Sequence, residues 1–179
     1  MAHYGSGVPL FSFEGKSPVV HPDAWIAPTA TLVGDVTVEA GASIWYGVVI
    51  RADLGAIVIR AGANVQDNSV IHVAAGVCEV GPGATIGHLC LVHDCTIGAE
   101  ALVGNGSTVL DGAVVGPRAL IAAGSTVTPG TEVPGETVAI GSPAKKFLPL
   151  TGTAKMWVDH NQEIYRDLAR RHRDGVEPV

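Results

Sequence analysis

Large rings are scarce in this chain. Aromatic residues are 5% of its 179 positions, although 47% are hydrophobic. A compact sandwich or α/β domain packs more rings than that. Basic residues are outnumbered, 11 against 17 acidic ones, for a net charge of −6. That balance argues against nucleic acid or an anionic membrane surface as a partner. No apolar run approaches the ~18 residues of a membrane span. Three cysteines are too few for a disulfide scaffold. Met1 to Gly15 has no basic stretch followed by an apolar core, so no secretion signal is expected and a cytoplasmic location is.

What the chain has instead is a period of six. Aliphatic residues recur at Val20, Ile26, Leu32, Val38, Ile44 and Ile50, and the pattern runs on to Val133. With 23 glycines, this is the signature of a hexapeptide solenoid, a parallel β-helix. Three repeats make one triangular coil, so residues about 18 apart stack. A first face carries Ile26, Ile44, Val65, Ile86, Val103 and Ile121. A second carries Leu32, Ile50, Ile71, Val92, Val109 and Val127. A third carries Val20, Val38, Ile59, Val80, Ile97, Val115 and Val133. About six coils at the strand spacing give a prism roughly 30 Å tall. Small residues such as Gly34, Gly62, Gly83, Gly98, Gly104 and Gly116 sit at the corners.

The 179 residues fit one domain. Residues 1–22 are expected to cap the first coil. Residues 23–138 form the β-helix, 139–152 an exit segment, and 153–174 a C-terminal α-helix with Thr153 as N-cap. Ala154, Trp157, Asn161, Ile164, Tyr165 and Leu168 share its apolar side. The cluster Arg170, Arg171, His172, Arg173 reads as a solvated helix end. The period breaks by about three extra residues at Ala52–Ala56 and again near Val73–Gly76, and each insertion is expected to form a loop.

Histidines mark the chemistry. His72 follows Ile71, and His93 follows Val92, both on the second face. Their 21-residue separation is one coil plus the insertion, so the two imidazoles stack about 5 Å apart. His88 follows Ile86 by two on the first face and cannot easily reach the same point within one chain. A threefold arrangement of prisms would bring it against the pair of a neighbouring subunit. Three neutral imidazoles and a water make a catalytic zinc geometry with one open position. Arg51 stacks one coil below His72, with Asp53 beside it. Gln66 and Asp67 stack one coil below His88, where Asp67 could pair with Arg51 of the partner subunit and Gln66 could touch the bound water. The bland alternative is a structural interface pair.

Arg51-Ala-Asp53, then Asn64-Val-Gln66-Asp67-Asn68, then His72, His88 and His93 in order, resembles the γ-class carbonic anhydrase family. The resemblance runs from about Leu10 to the C-terminal helix. It implies a left-handed β-helix and a homotrimer. It implies Zn2+, or Fe2+ or Co2+, at each interface, held by His72 and His93 of one subunit and His88 of the next. It implies that Gln66 orients the metal-bound water, that Arg51, Asp53 and Asp67 form the interface charge network, and that Tyr165 reaches the site. The activity implied is reversible hydration of carbon dioxide to bicarbonate by metal-bound hydroxide, followed by removal of a proton.

The sequence departs from the family at the proton shuttle. Leu54 stands where active members carry an acid, and the Val73–Val77 loop is short and uncharged, with Glu79 the one acid close by. A complete metal site is then compatible with weak or absent hydration. Three other readings stay open: a hexapeptide acyltransferase, suggested by Gly141-Ser-Pro-Ala-Lys145; a thioester hydrolase using the same water; and a non-catalytic metal-binding scaffold or ligand carrier. Cys78 and Cys95 stack one coil apart on the third face, near disulfide distance, with a reduced pair expected in the cytoplasm. Cys90 has no such partner. His3, His21, His160 and His172 fall outside the column.

Overall fold

The structure is a computed structural model, and it describes residues 9–177 and 179. His3 and the first eight residues of the expected cap lie outside those. Short parallel strands wind into a three-faced solenoid. On the first face, Trp25–Ile26, Ser43–Ile44, Asn64–Val65, Thr85–Ile86, Leu102–Val103, Leu120–Ile121 and Thr137–Gly141 stack in sequence order. That is seven coils rather than six, because Ala139 adds a rung opposite Ile121. The second and third faces stack in the expected register, Ile50↔Ile71, Val92↔Val109 and Ile97↔Val115 among their pairs.

The fold follows from alternation. Each inward aliphatic is flanked by outward residues, and a ladder of Leu32, Ile44, Ile50, Ile59, Ile71, Ile86 and Ile121 is fully buried. Each such side chain contributes roughly 1.5–3 kcal/mol when removed from water. β-branched residues suit this pleated, enclosed surface. Glycine serves the corners in two ways. Gly83 turns with φ +66°, a conformation open to glycine at little cost. Gly98 needs no special φ, but a Cβ there would lie 2.7 Å from the backbone nitrogen of Pro117 on the next coil.

The first insertion is not a loop. Val49–Ile59 is one continuous strand, paired along Thr31–Val38 with a register shift between Gly34 and Val36. Gly34 opposes Ala52 and Val36 opposes Ile57, so the three surplus residues bulge outward while the strand continues past them. The second insertion is a bend at 74–76, as the period predicts.

The exit segment is a hairpin, Thr137–Gly141 antiparallel to Ala144–Pro149. The helix then spans Gly152–Gly175. Its N-cap is Thr151, in extended backbone and with no side-chain capping bond, and not Thr153. The helix is also rotated from the expected stripe. Val158, Asn161 and Ala169 are buried, whereas Trp157 and Ile164 are 46% and 44% exposed. The helix end is not simply solvated either. The His172 ring lies 5.0 Å from Trp45 and 5.5 Å from Trp25, closing an aromatic cluster at the base of the prism. Nearer its start, the helix is tied down by Arg118, which bonds Asp159 at 2.6 Å and Glu100 at 3.0 Å. Among the described residues, no helix is long and apolar enough to cross a membrane.

Candidate metal centre and the adjoining cleft

His72 and His93 lie directly opposite each other on adjacent coils. Their rings are 5.0 Å apart, and His72 Nδ1 faces His93 Nε2 at 3.0 Å. The other nitrogen of each ring meets a carboxylate. His72 Nε2 is 2.9 Å from Asp53 Oδ1, and His93 Nδ1 is 3.1 Å from Asp111 Oδ1. The bulged strand therefore delivers Asp53 to His72. The His72 hydrogen bond holds the Asp53 carboxyl below its ordinary range, with Arg51 adding to the effect. Arg51 bonds Asp53 of its own chain.

His88 stands apart from that pair, on the first face. Its Nδ1 is 3.0 Å from Asp67 Oδ2, and its Nε2 is 3.2 Å from the Tyr165 hydroxyl. Asp67 thus engages His88 within the chain. Burial raises the Tyr165 pKa, and the Asp67 charge raises it further, so the phenol keeps its proton at neutral pH.

Gln66 is buried beside His88 at the end of a polar chain. Asn161 Nδ2 donates to Thr85 Oγ1 at 3.0 Å, Asn64 Nδ2 donates to the same oxygen at 2.8 Å, and Gln66 Nε2 donates to Asn64 Oδ1 at 3.1 Å. That sequence of donors turns the Gln66 nitrogen toward Asn64.

The donor chemistry suits a divalent ion. Two imidazole nitrogens on one tetrahedral zinc, at bonds of 2.0–2.1 Å, stand about 3.3 Å apart. The facing nitrogens of His72 and His93 are close to that spacing. Carboxylates on the far nitrogens fix ring orientation and tautomer, as at metal-bound histidines generally. Among the described residues, no three His, Cys, Asp or Glu side chains of one chain form a metal-holding group.

Two participants were missed in the sequence. Asp111 is 18 residues beyond His93, one coil on. The one-residue shortening between Val92 and Ile97 sets Val109 opposite Val92, which moves Asp111 one position off the column. Asn161 was visible only as a helix residue. A polar residue inside an apolar stripe was the available signal. The three cysteines are free thiols and buried. Cys95 shares a hydrogen bond with Cys78 that, together with burial, pushes its own pKa up.

The solenoid and its repeat define a hexapeptide β-helix protein. Residues 94–129 match the family described as "Bacterial transferase hexapeptide (six repeats)". The chain is 40% identical over 170 residues to gamma carbonic anhydrase 2, mitochondrial, of Arabidopsis thaliana, covering 91% of this chain and 61% of that protein's length. It is 39% identical to the carnitine operon protein CaiE of Salmonella agona, covering 93% of this chain and 84% of that one. A crystal structure of a hexapeptide transferase family protein from Anaplasma phagocytophilum superposes with a TM-score of 0.86 at 40% identity, over 91% of this chain and 97% of that chain. The chain belongs to the γ-carbonic-anhydrase-like family of hexapeptide-repeat proteins.

Proposed function

We propose that the protein catalyses the metal-dependent, reversible hydration of carbon dioxide to bicarbonate, in the cytoplasm, at the subunit interfaces of a homotrimer. The observation that carries this reading is the His72–His93 pair, with facing nitrogens 3.0 Å apart and each outer nitrogen on a carboxylate. His72 and His93 of one subunit and His88 of the next would hold the ion, zinc, iron(II) or cobalt(II). The ion supplies Lewis acidity that brings the pKa of water toward neutrality.

The chain's own groups do the rest. Asp53 stays ionised and keeps the His72 ring oriented. The Gln66 carbonyl accepts a hydrogen bond from the reacting water and fixes its direction. Tyr165 stays protonated and offers a donor to the substrate oxygen. Arg51 and Asp67 supply the interface charges. The expected turnover is low, because Leu54, 65% exposed beside Asp53, offers no proton acceptor. That same residue favours a second reading, a metal-holding trimer without turnover.

Bound metal per subunit, mass in solution, and carbon dioxide hydration of wild type and His88→Ala test both. One ion per subunit, a trimer, and turnover lost in the variant support the hydratase. Metal without turnover supports the scaffold. A metal-free protein sinks both and favours an acyltransferase.

A further inference from the structure

The C-terminal helix lies along the first face and sends a different row of side chains to each of its edges. Tyr165 reaches His88, at the corner that follows the first-face strands, and with Gln66 lines a cleft there. Arg166, the next residue, goes the other way. One of its guanidinium nitrogens would stand 2.9 Å from a Cβ at Gly62, in the corner that precedes the strand Asn64–Val65. A side chain at Gly62 would displace that guanidinium, so the glycine gives it a seat. The proposed trimer draws the His88 corner into an interface. The Gly62 corner is at the opposite edge of the same face and points away from it.

A cleft of about 390 Å3 opens along this outer edge. Its volume is in the range of sites that enclose small organic molecules. Trp25, Ala42 and Ala169, all buried, give it an apolar floor. Arg166, Arg170 and Arg173 line its helix side, at spacings of four and three that put them on one helical face. Their partners differ. Arg170 is paired with Asp167. Arg173 donates to the Asp23 backbone carbonyl at 3.1 Å, and Arg166 has no carboxylate partner among the described residues. Two guanidinium groups therefore border an apolar floor without a counter-charge of their own, in a chain whose net charge is −6.

We infer that this outer cleft binds a small organic carboxylate, with its charged end on Arg166 and Arg173 and its apolar body on Trp25, Ala42 and Ala169. The planar fork of a guanidinium matches a carboxylate in a bidentate pair. Each guanidinium carries five N–H donors, so Arg173 keeps donors to give after the Asp23 carbonyl is met. The rim also sets the charge of the ligand. Glu163 and Asp23 border the cleft, and their carboxylates repel a phosphate dianion more than a carboxylate. A neutral molecule would leave the two guanidinium groups without a counter-charge. The site uses no metal and no histidine, and it stands whether or not the protein hydrates carbon dioxide.

Ligand-observed NMR on the full-length protein tests this with benzoate, phenyl phosphate and benzyl alcohol, which share a ring and differ in charge. Benzoate should bind saturably, phenyl phosphate more weakly, and benzyl alcohol about tenfold more weakly or worse, the loss expected when a charged hydrogen bond goes unmade. Arg166→Gln should raise the benzoate Kd about tenfold, and so should Arg173→Gln. Circular dichroism checks the fold of each variant, and one folded variant is enough. Metal-stripped protein should bind benzoate as tightly as metal-loaded protein. Benzoate binding that disappears with the metal belongs to the histidines and overturns the inference. No saturable binding overturns it too, as does binding that the folded variants retain. Phenyl phosphate binding more tightly than benzoate overturns the choice of a carboxylate. Benzoate binding in a protein that takes up no metal would sink the hydratase and keep this cleft.

Discussion

The Tyr46 hydroxyl and His172 Nδ1 stand 2.9 Å apart, across 126 residues of sequence. This contact closes the C-terminal helix onto the base of the prism, where Trp25 and Trp45 pack edge to face at 4.8 Å. It fixes the far end of the element that carries Asn161 and Tyr165 to the site.

His172→Ala removes that hydrogen bond, worth about 1 kcal/mol, and edge contacts with two indoles, worth about 1 kcal/mol more. Urea unfolding should show a loss of about 2 kcal/mol, with a weakened near-ultraviolet circular dichroism signal. A loss under 0.5 kcal/mol would mean that the helix holds without this contact.

Asp111 touches no expected ion, yet it holds the outer nitrogen of His93. Asp111→Asn should weaken metal binding 10- to 100-fold, the usual effect of removing an orienting carboxylate. Competition against a chromophoric chelator measures it. An unchanged affinity would leave Asp111 as a surface contact only.

Lys155 and Arg118 hold the Asp159 carboxyl down to about 2. A carboxylate with a depressed folded-state pKa stabilises the fold above its unfolded value near 4, and this contribution is lost as pH falls toward 2. Asp159→Asn should therefore lower the melting temperature at pH 6, with the gap narrowing below about pH 4 and closing near pH 2. A constant gap across that window would show that the side chain acts by packing.

Gly34 has φ +79°, and a Cβ there would collide with the Ala52 carbonyl at the start of the bulge. Gly34→Ala should cost about 2 kcal/mol or more, from left-handed backbone strain and the displaced strand. Thermal unfolding checks this, and a neutral substitution would mean that the bulge is freely adjustable.

Cys78, Cys90 and Cys95 are buried free thiols. Alkylation followed by mass spectrometry should find all three slow to react in the native protein and fast in guanidinium. A mass two units low, with Cys78 and Cys95 both blocked, would show a disulfide instead.

Much of the site was legible because the repeat acts as a ruler. Once Ile71 and Val92 share a face, His72 and His93 must meet, and the structure brings them within hydrogen-bonding distance. Asp53 was legible as a neighbour, but its grip on His72 depends on surplus residues bulging from a strand that never breaks. The sequence shows three extra residues and not their path. Asp111 escaped for a related reason: one missing residue shifts a column by one position, and only the backbone shows how the shift is absorbed.

The sequence by itself determined the solenoid, its three faces, the buried ladder and the coils on which the histidines stand. A six-residue period, even with its breaks, puts the aliphatics on three inward faces, so local pattern and global fold agree. Only the tertiary structure decided how the helix lies. Its rotation sets Asn161 on Thr85, Tyr165 on His88, and His172 among the base tryptophans. A helical stripe states which residues share a side. The angle at which that side meets the prism comes from contacts between residues dozens to more than a hundred positions apart, such as Asn161 with Thr85 and His172 with Tyr46. No local pattern encodes those contacts.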